Sequence, residues 1–114
     1  MIRIVTESMS DFTQEEAKAA DLIVMPLPIR FGMEEYWDDG VSLTQDDFYA
    51  RLRVAKELPK TSQVPVEHYR KCFNRLLENP EDEVLVITGS SKLSGCYQSA
   101  CIAREACHDP ARVT

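Results

Sequence analysis

The sequence predicts an α/β fold in which a mostly parallel sheet is layered with helices. Two observations carry that reading. Short apolar strands alternate with helix-period segments in the order strand, helix, strand, two helices, strand, helix, the connection pattern of parallel strands. The run Val84-Leu85-Val86-Ile87 is uniformly apolar, which suits a strand at the centre of a parallel sheet covered on both faces. The 114 residues are enough for a single α/β domain, spanning 1–114, with a small but real core.

Ile2, Ile4 and Val5 make the first strand, and Thr6 to Asp11 supplies turn and cap chemistry, with Ser10 and Asp11 read as caps. Thr13 with Glu16 fits a capping box for a helix that ends near Asp21. Leu22 to Met25 reads as a buried strand, extended in alternation by Leu27, Ile29 and Phe31. Pro26 and Pro28 lack ladder donors, so this extension is expected on an edge or paired on one side. Gly32 to Gly40 resembles a hairpin in which Tyr36 and Trp37 pack together.

Thr44 with Asp47 caps a second helix carrying Phe48, Leu52 and Ala55, closed by Pro59. Lys60 to Val64 reads as a loop, with Ser62 as a cap for the next helix. Pro65 is expected at the first position of that helix, which carries Tyr69, Cys72, Phe73, Leu76 and Leu77 and stops near Asn79-Pro80. Glu81-Asp82-Glu83 is an acidic turn that needs no partner. The last helix is expected from about Gly95 to Cys107, and Pro110 to Thr114 reads as a turn followed by the first residues of another strand.

Composition narrows the function classes. A formal charge of -6, with 13 Lys and Arg scattered along the chain, disfavours nucleic acid as a partner. No apolar run approaches the roughly 20 residues that span a bilayer, and the N-terminus turns acidic too soon for a signal peptide, so a cytoplasmic protein is expected. Cys72, Cys96, Cys101 and Cys107 form no CxxC pair, and His68 and His108 do not complete a zinc pattern, so neither metal nor cofactor is expected. Cys72, Cys101 and Cys107 fall in helical patterns as small packed hydrophobes, Tyr97 is expected to pack, and His68 to be solvated.

Three loops, Glu7 to Asp11, Lys60 to Gln63 and Gly89 to Gly95, leave or approach the carboxyl ends of strands, where open parallel sheets gather ligands. The last two are rich in hydroxyls: Thr61, Ser62, Ser90, Ser91 and Ser94. The segment Ser90 to Ala100 also brings the flexible Gly95 and a helix N-terminus to a place where an anion can be held. No histidine or carboxylate adjoins these hydroxyls in sequence to serve as a base, which argues for binding over nucleophilic catalysis.

Thr61-Ser62-Gln63 before a proline, and Ser90-Ser91-Lys92-Leu93-Ser94-Gly95-Cys96-Tyr97-Gln98-Ser99-Ala100, resemble the two signature segments of the DegV family of fatty-acid-binding proteins. Val5 to Phe12 looks like the family's opening strand and turn. The chain departs from the family pattern at Glu7, where Asp is common, at Val64, where Pro often follows the Gln, and at Cys96, where Thr or Ser is usual. With no resolving cysteine in a known partner position, Cys96 reads as a tolerated small residue.

The resemblance implies a non-catalytic carrier that holds one long-chain fatty acid, such as palmitate, in a buried tunnel. Its carboxylate would be bound by Thr61 and Ser94, with Ser62, Gly95 and Ser91 in support. It also implies a separate fatty-acid kinase subunit as partner. Two hydroxyl-carboxylate bonds contribute about 1.5 to 3 kcal/mol each, whereas around 15 buried methylenes at about 0.8 kcal/mol each offer on the order of 12 kcal/mol before ordering costs. Family members are longer and complete the tunnel with a second domain, so this chain resembles only their N-terminal domain, with the C-terminal domain absent. Losing half the tail contacts removes around 6 kcal/mol, so the chain by itself is expected to bind fatty acid weakly or not at all. Two other classes stand beside this one. One is a hydrolase, transferase or phosphate-binding enzyme using Ser94 or the last helix; the other is a non-binding truncated fragment that self-associates through an exposed sheet edge at Val113.

Overall fold

The computed structural model describes residues 1–114 as two small sheets and four α-helices. The strands are β1 (Ile2–Glu7), β2 (Leu22–Met25), β3 (Pro28–Phe31), β4 (Glu34–Trp37), β5 (Lys60–Thr61) and β6 (Glu83–Ile87). The helices are α1 (Gln14–Ala19), α2 (Gln45–Val54), α3 (Val66–Leu76) and α4 (Cys96–Ala106). The main sheet is wholly parallel in the order β2-β1-β6, and a second sheet, β4-β3-β5, is antiparallel.

Local signals in the sequence set most of these boundaries. The Thr13 hydroxyl accepts from Glu16 N–H at 3.1 Å while Glu16 Oε1 accepts from Thr13 N–H at 3.2 Å, which closes the capping box. Thr44 accepts from Asp47 N–H in the same way at the start of α2. Tyr69, Cys72, Phe73 and Leu76 recur at helical spacing along α3 and form its buried stripe. Small residues of α4, Ala100 and Ala103, let it lie close to α3, and both helices cover the sheet face formed by Val5, Met25 and Val84.

The opposite face carries Ile2, Ile4, Leu22, Val24, Leu85 and Ile87, as the register shows. Helix α1 packs against β2 there, while Ile2 and Ile87 remain exposed. The sheet is therefore not covered on both faces at β6, although β6 is flanked on both sides, by β1 and by the C-terminal residues. Beyond β6 the chain returns: Thr114 N–H donates to Val84 O and Val86 N–H to Thr114 O, with Val113 in a parallel bridge to Val84. That is the expected start of another strand, and Val113 is buried, not an exposed edge.

Other expectations are corrected. The run from Leu22 to Phe31 is two strands in two sheets, because Pro26 and Leu27 interrupt the first ladder and Leu27 N–H turns to the Ser8 hydroxyl. Strand β3 pairs on both sides; Pro28 occupies its first position, where a missing N–H interrupts nothing, and Ile29 and Arg30 meet β5. Lys60 and Thr61 are strand, not loop. Helix α2 ends at Val54, well before Pro59, since it buries no residue that would extend it. Pro65 is the N-cap of α3, and Ser62 does not cap it because it lies three residues ahead of that position, where its backbone N–H donates to Pro28 O.

Ser10 and Asp11 cap no α-helix. They close a 3-10 turn over Ser8–Ser10, with Asp11 in the left-handed region at φ 66°. Trp37 packs on His68 of α3, with ring centroids 5.2 Å apart, so it does not pair with Tyr36 and His68 is not solvated. Tyr36 instead lies under the Arg51 guanidinium, which together with Tyr36 pulls the Glu34 carboxyl below the usual range. Asp82 is buried and does have a partner region: Arg3 Nη1 lies 4.0 Å from its carboxylate. Tyr97 and Cys101 are exposed, not packed.

Candidate functional site

The two hydroxyl-rich segments, 32 residues apart at their point of contact, come together at the N-terminus of α4. Val64 N–H donates to Cys96 Sγ at 3.4 Å. The Gln63 side-chain amide lies against the Gly95 Cα, where an added Cβ would stand 2.7 Å from Gln63 Cδ. Gly95 has an ordinary helical φ of -76°, so its lack of a side chain matters here for close approach and not for backbone freedom.

Ser94 is half-buried, and its hydroxyl oxygen accepts from Cys96 N–H at 3.2 Å. That bond uses a lone pair and leaves the hydroxyl proton free to donate to an anion. Its neighbours in the turn are tied to each other: Ser90 O accepts from the N–H groups of Leu93 and Ser94, and the Ser90 hydroxyl accepts from Lys92 N–H. Ser91 is exposed on this turn. Thr61 and Ser62 are exposed at the end of β5.

Beneath the turn lies a feature that the sequence does not announce. Glu7, at the end of β1, is buried and accepts from Gly89 N–H at 2.7 Å and from Tyr69 Oη at 3.4 Å. It ties the end of β1 to the loop that follows β6. Burial, reinforced by the Glu7 carboxylate, pushes the Tyr69 phenol well above its usual range, and burial raises the Cys72 thiol. A carboxylate directly after a strand reads as a turn residue, so only the fold reveals its burial. The Ser99 hydroxyl on α4 is likewise buried, and no hydrogen-bond partner reaches it.

A cavity of about 930 Å³ opens on the α1 side of the main sheet, between it and the antiparallel sheet. Leu22, Val24, Ile29, Leu43 and Phe48 supply apolar wall, and Thr61 and Ser8 lie on its margin. Ser94, Gly95 and Ser91 do not line it. Thr61 thus faces a cavity in which Ser94 has no part, and the two residues are linked through the Gln63–Gly95 and Val64–Cys96 contacts.

Neither histidine side chain hydrogen-bonds to Thr61 or Ser94. The His68 ring is packed on Trp37, and His108 follows the far end of α4, whose 11 residues extend about 16 Å at 1.5 Å per residue. No cluster of three or more His, Cys, Asp or Glu side chains forms, and no helix is long and apolar enough to cross a membrane.

Comparison with known proteins adds an independent line. Residues 1–114 match the model of a family described as an uncharacterised protein, DegV family. A DegV domain-containing protein of Halalkalibacterium halodurans is 41% identical over 102 residues, which cover 90% of this chain and 36% of that protein. A hypothetical protein from Thermotoga maritima whose structure is described as revealing a fatty acid binding function superposes with a TM-score of 0.86 at 33% identity, covering 99% of this chain and 41% of that one. A stearic acid-binding protein from Eubacterium ventriosum superposes with a TM-score of 0.84 at 34% identity, covering 93% and 36%. The chain spans little more than a third of the length of the curated relatives it matches.

Proposed function

This chain belongs to the DegV family, and from that membership we propose that it binds a long-chain fatty acid such as palmitate, with Thr61 and Ser94 donating hydrogen bonds to the carboxylate. The observation that carries the reading is the meeting of the two hydroxyl segments, with the Ser94 oxygen already accepting from Cys96 N–H and its proton left to donate. A carboxylate accepts only, so two hydroxyl donors on converging segments match it. Ser62, Ser91 and Gly95, which lie near these donors in sequence, are proposed in support.

The role is that of a carrier, not a catalyst, and it presents the acyl carboxylate to a separate fatty-acid kinase. Ser94 has no histidine placed to act as its base, which weighs against a serine hydrolase. Within this chain, the wall of Leu22, Val24, Ile29 and Phe48 beside Thr61 offers the tail apolar surface. The remainder of the tail needs contacts from elsewhere, as in relatives that are longer than this chain.

Organic extraction of the natively purified protein, followed by mass spectrometry, tests the ligand class. A long-chain fatty acid retained by the wild type and depleted in the Thr61→Ala, Ser94→Ala double variant supports the site. Undiminished lipid in the double variant rejects the site, and labelling of Ser94 by a fluorophosphonate probe favours the hydrolase instead.

A further inference from the structure

We infer that Cys96 is a positioning residue that fixes Thr61 relative to Ser94 and so sets the spacing of the two proposed head-group donors. The inference takes its purpose from the fatty-acid reading, while the tie itself stands on geometry. Cys96 has no exposed surface. Its sulfur receives Val64 N–H at 3.4 Å, and its own N–H donates to the Ser94 hydroxyl at 3.2 Å. One residue therefore grips both segments, the Thr61 segment by its side chain and Ser94 by its backbone.

No sheet ladder does this work. Thr61 lies on β5 of the antiparallel sheet and Ser94 on the loop after β6 of the parallel sheet, and the two sheets share no strand. The other tie between the segments, the Gln63 amide on Gly95, uses a long and exposed side chain. Val64, by contrast, is fully buried in the same apolar cluster as Cys96, so its N–H is removed from water and needs the sulfur as acceptor. A sulfur acceptor reaches 3.4 Å comfortably. A serine at this position keeps an acceptor, and an alanine removes it.

The test uses the 114-residue chain and two variants, Cys96→Ala and Cys96→Ser. Amide hydrogen exchange at Val64 is read by NMR against Phe73, a buried α3 residue that reports any general loosening. Oleate, kept below its micelle concentration, is then titrated while the Thr61 and Ser94 resonances are followed. The expected result for Cys96→Ala is Val64 exchange about tenfold faster relative to Phe73, with the half-point of the oleate response moved up about tenfold. Cys96→Ser stays within about threefold of the wild type in both. Unchanged Val64 exchange in Cys96→Ala, or a serine variant that behaves as the alanine does, overturns the assignment. A wild type whose Thr61 and Ser94 resonances ignore oleate leaves the tie to the exchange measurements, which decide it alone, and leaves the fatty-acid reading to the lipid extraction.

Discussion

Replacing Gly95 by alanine probes the contact between the two hydroxyl-rich segments. The backbone there is helical, with φ -76° and ψ 0°, so alanine is admitted without strain and restricts the unfolded chain, a gain of about 0.4 to 1 kcal/mol. Against that, the new methyl would overlap Gln63 Oε1 and stand 2.7 Å from Cδ, so a small shift is not enough and the amide has to swing out of the way. Gln63 is exposed and flexible, so it yields by a rotamer change costing on the order of 0.5 to 1.5 kcal/mol. The two effects nearly cancel, and Gly95→Ala alone changes stability by less than about 1 kcal/mol. The interaction appears in a double-mutant cycle with Gln63→Ala, measured by urea denaturation. In the Gln63→Ala background the clash is gone, and Gly95→Ala becomes stabilising by about 0.4 to 1 kcal/mol, for a coupling of about 1 kcal/mol. Additivity of the two substitutions would refute the claim that these side chains meet.

Three further outcomes follow from buried groups. The raised Tyr69 phenol leaves the folded protein holding a proton that the unfolded chain releases above about pH 10, so the stability it confers is intact below that pH. It falls by about 1.4 kcal/mol per pH unit above it; thermal melts between pH 8 and 11 should show Tyr69→Phe with a flatter alkaline limb, and an equal slope rejects the assignment. Ser99→Ala removes a buried hydroxyl with no partner, so its midpoint in urea should stay level or rise by the equivalent of about 1 kcal/mol; a loss of 1 kcal/mol or more would mean the hydroxyl is engaged. Phe73→Ala empties the centre of the α3 stripe and should cost about 3 to 5 kcal/mol in the same assay, and a cost below about 1 kcal/mol would contradict its place in the core.

The helices were legible because their signals are local. Thr13 with Glu16 and Thr44 with Asp47 announce their N-termini, and Tyr69, Cys72, Phe73 and Leu76 mark a buried face by spacing alone. The second sheet was only half legible. The hairpin was readable from Gly32 to Gly40, but the pairing of two-residue β5 with β3 joins Thr61 to Ile29 across the chain, and so short a strand carries no periodicity. The site divides in the same way. Thr61 and Ser94 stand out as hydroxyls at strand ends, whereas the Glu7 contacts with Gly89 and Tyr69 depend on which face of β1 a residue takes. Cys96 reads in sequence as a small residue that could be exchanged for another, and only the fold reveals the Val64 N–H held on its sulfur.

Titration of the chain with oleate carrying a 13C label at its carboxyl tests the central claim most directly. The account predicts a weak but saturable shift of the carboxyl resonance, matched by shifts at Thr61 and Ser94 with the same midpoint, and loss of the carboxyl shift in the Thr61→Ala, Ser94→Ala variant. A carboxyl shift that survives in the double variant, or saturates while Thr61 and Ser94 stay still, would contradict it.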